Sequence, residues 1–301
     1  MKRITVVLLA LVMLLGLAAC GNSGTGKTEP EPVTPDLHID IADLPVIDGA
    51  LACLPYYEQM TAIVTGTELD EAREHILTNN TPASFKEIAE GKVDLIFCLH
   101  ASADQEAYAK ENGVTLEYTP FANDAFVFFV NKDNPVNNIT MQQLHDIYAG
   151  KITNWKEVGG NDEPIIAYQR NEGSGSQTGL YQYVIDKDAV MDPPTEQRIG
   201  DMGGIIDAVA YYDNAKGALG YSYLYFVTNQ HFDEDIKLLA VDGYAPNKDN
   251  IQSAAYPMVT QYCCVINSEE AADSNVRKII DWCVGEQGQL LAEELYYVPV
   301  K

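Results

Sequence analysis

Arg170 closes an apolar run at residues 164–169, and four positions later Ser174-Gly175-Ser176-Gln177-Thr178 opens a stretch with helical spacing through Leu180, Tyr181 and Val184. A strand, a Gly/Ser turn and a helix start make a trap for an anion. The first turn of a helix leaves backbone N–H groups without partners, and the aligned peptide dipoles add partial positive charge there. Glycine lets the backbone approach a guest, hydroxyls add donors, and a guanidinium forks onto two oxygens of a tetrahedral oxyanion. The same residues also read as a Ser-capped helix beside an arginine in a surface ion pair. Taken alone, they leave the two readings even.

The elements that would position this segment alternate between strand and helix, the pattern of an α/β fold. Strands are expected at 44–47, 93–99, 114–118, 125–131, 218–226, 236–241 and 258–266. Helices are expected at 50–65, 102–112, 140–148 with Thr140 as N-cap, 205–212, and as one closing helix over 275–294. Two long apolar strands, 125–131 and 258–266, bracket the middle third. A chain that leaves one lobe, builds a second and returns would cross through such a pair. The expected division is therefore lobe one at 38–124 plus 258–301 and lobe two at 125–257. A single continuous sheet with both strands central is the alternative.

The N-terminus bears on compartment. Lys2 and Arg3 precede an apolar run that ends at Leu17-Ala18-Ala19-Cys20-Gly21, which resembles a bacterial lipobox. Residues 1–20 are expected to be a lipoprotein signal ending at Cys20, acylated after cleavage. Residues 21–37, rich in Gly, Ser, Pro and Glu, cannot bury enough surface to order themselves and read as a tether. The 301 residues carry a formal charge of −25, two units more negative without Lys2 and Arg3. So acidic a body argues against nucleic acid, whose phosphates need a basic surface. A small buried oxyanion is still allowed, because local N–H groups and one arginine outweigh a field screened within about 10 Å. Cys53, Cys98, Cys263, Cys264 and Cys283 follow no disulfide spacing and read as buried thiols.

The segment 131–136, then Gln143-Leu144-His145-Asp146-Ile147-Tyr148-Ala149-Gly150-Lys151-Ile152-Thr153-Asn154-Trp155, Glu157-Val158-Gly159-Gly160, residues 170–177 and Gly217-Ala218-Leu219-Gly220-Tyr221-Ser222 together resemble the PstS-like phosphate-binding lipoproteins of ABC transporters. That resemblance implies a two-lobed periplasmic-binding-protein type II fold with a ligand cleft between lobes joined by two crossing strands. It implies a monomer that takes phosphate or a similar small oxyanion, hands it to a membrane permease and needs no cofactor. It assigns Arg170, Ser174, Gly175, Ser176 and Gln177 to one side of the ligand and the loop with Ala50 and Leu51 to the other. The family usually reads Gly-Ser-Thr in that loop, so two hydroxyls are missing here while the backbone N–H groups stay. Where relatives carry an acidic residue after the 93–99 strand, this chain has His100-Ala101-Ser102; His100 and Ser102 are candidate contacts, or a surface residue and a helix cap.

Other function classes fit poorly. The five histidines are scattered without metal-ligand spacing, Gly173-Ser174-Gly175-Ser176 is not a nucleophile elbow, and no phosphate-loop motif occurs. A sensor or protein-binding module that keeps the fold is the remaining alternative, motivated by Ala50 and Leu51.

Overall fold

The computed structural model describes residues 35–193, 197–212 and 215–300; the leader, Cys20 and nearly all of the tether lie outside them. In chain order the strands are β1 (Ile47–Gly49), β2 (Leu95–Cys98), β3 (Leu116–Asn131), β4 (Asn138–Ile139), β5 (Ile166–Ala167), β6 (Gln169–Arg170), β7 (Arg198–Ile199), β8 (Ala218–Tyr223), β9 (Ile236–Leu238), β10 (Ala240–Val241), β11 (Val259–Asn267) and β12 (Val298–Pro299). The helices are α1 (Leu54–Thr65), α2 (Leu69–Glu74), α3 (Thr81–Ala89), α4 (Ala103–Glu111), α5 (Met141–Tyr148), α6 (Gly175–Tyr183), α7 (Met202–Tyr211), α8 (Lys248–Gln252), α9 (Asn275–Val284) and α10 (Glu286–Glu294).

One ladder runs β1-β2-β11-β3-β8-β5, with β12 and β9 also paired to β3. Strand β3 is its spine. Up to Ala125 it pairs antiparallel with β11, and from Phe126 onward it pairs antiparallel with β8. Its two halves therefore belong to two sheets, and each sheet carries its own layer of helices. The ladder is continuous because β3 passes through both sheets.

The expected strands 114–118 and 125–131 are a single 16-residue strand. The polar residues between them and Pro120 disguise the continuity. Pro120 has no N–H to give to a ladder, and the register shifts beside it, between Tyr262 and Cys263, leaving Phe121 as the extra residue of a bulge. The closing helix is also not one piece. It breaks at Gly285, whose backbone is extended (φ −76°, ψ 178°), and restarts as α10. Strand β8 stops at Tyr223 rather than running to residue 226, and the chain turns into a short π-helix at Phe226–Gln230.

Aromatic packing fills both lobes. Tyr56 lies 4.4 Å from Phe121 between ring centroids, with Phe97 and Tyr297 around them. In the other lobe Phe126 and Phe128 pack against Tyr221, and Phe126 also against Tyr223. Tyr221 and Tyr223 are two apart on β8, so both point to one face. All five cysteines after Cys20 are buried and unbridged. Burial pushes the Cys263 thiol up to about 12, which keeps it protonated.

Candidate functional site

Helix α6 starts where the sequence places it. Ser174 is the N-cap, with φ −67° and ψ 145°, and its Oγ accepts the N–H of Gln177 at 3.2 Å. Gly173 before it sits at φ +75°, a left-handed conformation that glycine adopts without strain. The capping pattern narrows the set of available donors. Ser174 N–H goes to Asn171 O, Gln177 N–H to Ser174 Oγ and Thr178 N–H to Ser174 O. Of the four amides expected to face a guest, those of Gly175 and Ser176 remain for it.

Arg170 is 4% exposed. Its Nε donates to Ile199 O at 3.0 Å, Nη2 to Gly200 O at 3.2 Å and Nη1 to Ser176 Oγ at 3.2 Å. These neutral acceptors aim the guanidinium without neutralising it, and among the described residues no carboxylate forms an ion pair with it. The buried Asp124 is engaged elsewhere: its Oδ1 accepts from Ala125 N–H and Tyr225 N–H. Burial pulls the Arg170 pKa below its ordinary value, opposed only in part by Tyr221 and the nearby Asp201. An arginine remains protonated throughout the physiological range. A buried cation without an ion-pair partner among the described residues, beside a helix start, is the electrostatic complement of an oxyanion.

Gln177 supports this arrangement from behind. Its Oε1 accepts the backbone N–H of Arg170 at 2.8 Å and the hydroxyl of Tyr221, and its Nε2 donates to Gln169 at 3.4 Å. The side chain therefore fastens β6 to α6 and is a positioning residue; the sequence reading had placed it against the guest. Gly179, one turn on, permits the close approach. A Cβ there would lie 2.7 Å from Tyr223 Oη and 2.8 Å from the Phe126 ring.

Across the cleft, the neighbour of α6 is the start of α3. A Cβ placed on Gly175 would lie 3.6 Å from Thr81 Oγ1 and 3.7 Å from Leu99 Cδ1, and one on Gly173 would lie 3.8 Å from Pro82. Two helix N-termini, each on a nine-residue helix, thus approach one another beside Arg170. Helix α3 was absent from the sequence reading. Its signals were present: Asn80 as N-cap with its side chain on Ala83 N–H, Pro82 in the first turn, and Phe85, Ile88 and Ala89 on the buried face. Asp48 anchors the region, accepting from Asn79 N–H, Asn79 Nδ2 and Ser84 Oγ.

The loop at Ala50 and Leu51 is less available than expected. Ala50 N–H donates to Phe97 O at 2.9 Å, so it is not a free donor. Leu51 is 44% exposed, and its carbonyl accepts from Gln230 Nε2 of the opposite lobe at 2.9 Å. His100 is exposed, with its ring stacked on Tyr118 at 4.4 Å and its Nε2 3.9 Å from Cys263 Sγ. Ser102 caps α4 in a reciprocal box with Gln105. Both line an interlobe crevice of about 580 Å³ with Asp104, Gly173, Tyr181 and Lys187, beside the α6 turn. The lobes also meet through Gln105 Nε2 to Gly173 O and Lys187 to Asp104.

The fold is that of a two-lobed binding protein, with Arg170 and the start of α6 set close to the start of α3. The chain belongs to the PBP superfamily, whose domain model matches residues 64–286. It is 25% identical to the phosphate-binding protein PstS of Bacillus subtilis over 302 residues, covering 99% of this chain and 94% of that one. It is 26% identical to the Borreliella burgdorferi PstS over 188 residues, 61% of this chain and 66% of that protein. A Clostridium perfringens structure with bound phosphate, described as a phosphate ABC transporter substrate-binding protein, superposes with a TM-score of 0.68 at 25% identity, covering 85% of this chain and 99% of that chain.

Proposed function

We propose that this protein is an extracytoplasmic solute-binding lipoprotein that captures inorganic phosphate and delivers it to the permease of an ABC transporter. The observation that carries the reading is the buried guanidinium of Arg170, which forms no ion pair among the described residues, on the Ser176 hydroxyl at the start of α6, whose Gly175 lies against Thr81 of α3. The PstS relatives supply the transport context. Ligand contacts are assigned to Arg170, Gly175, Ser176 and Thr81, with Ser174 and Gln177 holding the turn. Lobe one is assigned to 38–124 with 258–301 and lobe two to 125–257, and Cys20 to the lipid anchor of a monomer. Closure of the lobes would be stabilised by a ligand that both α3 and α6 touch, since a ligand shifts a conformational equilibrium by its differential affinity.

Isothermal titration of the purified protein with phosphate tests the binding step. Saturable heat with one site per chain is expected; no heat and no thermal shift would overturn it. Metabolic labelling with a fatty acid, lost in a Cys20→Ala variant, tests the anchor.

A further inference from the structure

The two walls of the cleft differ in chemistry where they meet at the α6 turn. One side brings donors: Arg170 with the Ser176 hydroxyl on its Nη1, and the Gly175 and Ser176 amides that the cap leaves over. From the other side Thr81 brings a hydroxyl and Leu99 a methyl, 3.6 Å and 3.7 Å from a Cβ built on Gly175. Ala50 adds no side-chain donor and has spent its N–H on Phe97 O. A buried inorganic phosphate presents four oxygens that seek donors, and one turned to an apolar wall goes unmet. A phosphate monoester presents three charged oxygens. Its fourth corner is an ester oxygen, a poor acceptor that carries carbon, and this corner loses little against a methyl group.

Both walls run on into the interlobe crevice. Gly173 lies two residues before Gly175, His100 directly follows Leu99, and both line it. Its volume of about 580 Å³ falls in the range of cavities that enclose whole organic ligands, far more than an inorganic ion needs. Thr178 and Tyr181, both half-buried, and the exposed Gln182 line it with two hydroxyls and an amide, groups that pair with hydroxylated guests. Its charge is unbalanced, because Asp104 and Glu172 share the ammonium of Lys187 at 3.4 Å and 3.3 Å. The excess negative charge acts against a guest that carries its own carboxylate there. We infer that the cleft accepts phosphate monoesters with a small, uncharged, hydroxylated substituent. The phosphoryl group is held at Arg170 and the α6 turn, and the substituent lies in the crevice along Thr178, Tyr181 and Gln182. This rests on the phosphate-binding role assigned above and widens it from the inorganic ion to a class of organic phosphates.

The test is titration calorimetry of the full-length protein at pH 8 with inorganic phosphate, glycerol 3-phosphate and 3-phosphoglycerate, the last carrying a carboxylate on a similar skeleton. Glycerol 3-phosphate is expected to bind at one site, no more than about tenfold weaker than phosphate, with 3-phosphoglycerate at least about tenfold weaker than glycerol 3-phosphate. Gln182→Trp, which fills the crevice, is expected to weaken glycerol 3-phosphate by more than about tenfold and leave phosphate within about twofold. Ala103→Trp, on the opposite wall, is expected to do the same, and melting curves establish which variants fold. Phosphate binding with glycerol 3-phosphate weaker than that limit would leave the phosphate function standing and remove this proposal. So would equal binding of the two esters, or a folded crevice variant that treats ester and ion alike. Binding of neither phosphate nor glycerol 3-phosphate would overturn the anion site and this proposal with it.

Discussion

The side-chain carbonyl of Gln177 accepts the main-chain N–H of Arg170 at 2.8 Å, tying the strand that carries the guanidinium to the helix whose amides face the cleft. The same oxygen accepts the Tyr221 hydroxyl, and all three residues are buried. The half-site is thus a rigid unit in which charge and amide donors keep a fixed separation before any ligand arrives. Preorganisation of this kind removes ordering costs from the binding step.

Arg170→Ala removes the buried cation of this cluster. Hydrogen bonds to charged groups contribute about 1.5–3 kcal/mol each, so losing a forked pair predicts a fall in phosphate affinity of more than about a hundredfold. Arg170→Lys is expected to recover little, because an ammonium cannot reproduce the fork or reach Ile199 O and Gly200 O together. Calorimetry on both variants checks this.

Gln177→Ala removes the acceptor of the Tyr221 hydroxyl and one of the two acceptors of Arg170 N–H, the other being Tyr221 Oη at 3.0 Å. One group left unsatisfied in a dry interior costs about 1–3 kcal/mol, and a loss of that size in urea unfolding is expected. Phosphate affinity should weaken as well, less than in Arg170→Ala. Unchanged stability would show that Gln177 does not hold the turn together.

Thr81 and Ser102 separate a ligand contact from a helix cap. Thr81→Ala is expected to weaken phosphate binding about tenfold with little change in stability. Ser102→Ala should do the reverse, costing about 1 kcal/mol of stability through loss of the α4 cap while leaving affinity within twofold. Paired melts and titrations give the comparison.

Asp124 predicts a pH dependence of folding. Burial pushes its carboxyl up to about 6, only partly offset by Tyr262 and the Ala125 and Tyr225 amides, against about 3.9 in the unfolded chain. The folded state therefore holds a proton that the unfolded state has already released. Its contribution to stability is full below about pH 4 and is lost as pH rises through about 6, a change of roughly 3 kcal/mol. Asp124→Asn cannot titrate, so its stability relative to the native chain should improve by about that amount between pH 4 and pH 7.5. Parallel denaturant curves at the two pH values measure the difference, and a constant offset would contradict the assignment.

Local chemistry written in adjacent residues was legible without coordinates. The Ser174 cap, the approach of Arg170 to the α6 turn, the α/β alternation and the apolar strands near 125–131 and 258–266 follow from periodicity and capping, which act over a few residues. What the sequence left out depends on residues far apart in the chain. The merging of two strands into β3 required a bulge opposite β11, and the break at Gly285 required the packing of α10 back onto β3 and β12. The donors turned away from the cleft, Ala50 N–H on Phe97 O and Gln177 N–H on its own cap, are decided by which acceptor lies nearest after folding.

The sequence by itself determined that one turn of this protein can hold an anion, because the amides, hydroxyl and guanidinium lie within eight residues of each other. Only the tertiary structure decided what stands opposite. Thr81 and Leu99 reach Gly175 from about 90 and 75 positions away in the chain, by way of the pairing of β2 and β3 with β11 and the passage of β3 from one sheet to the next. Contacts of that separation are selected by the global burial of apolar surface, and no local pattern encodes them.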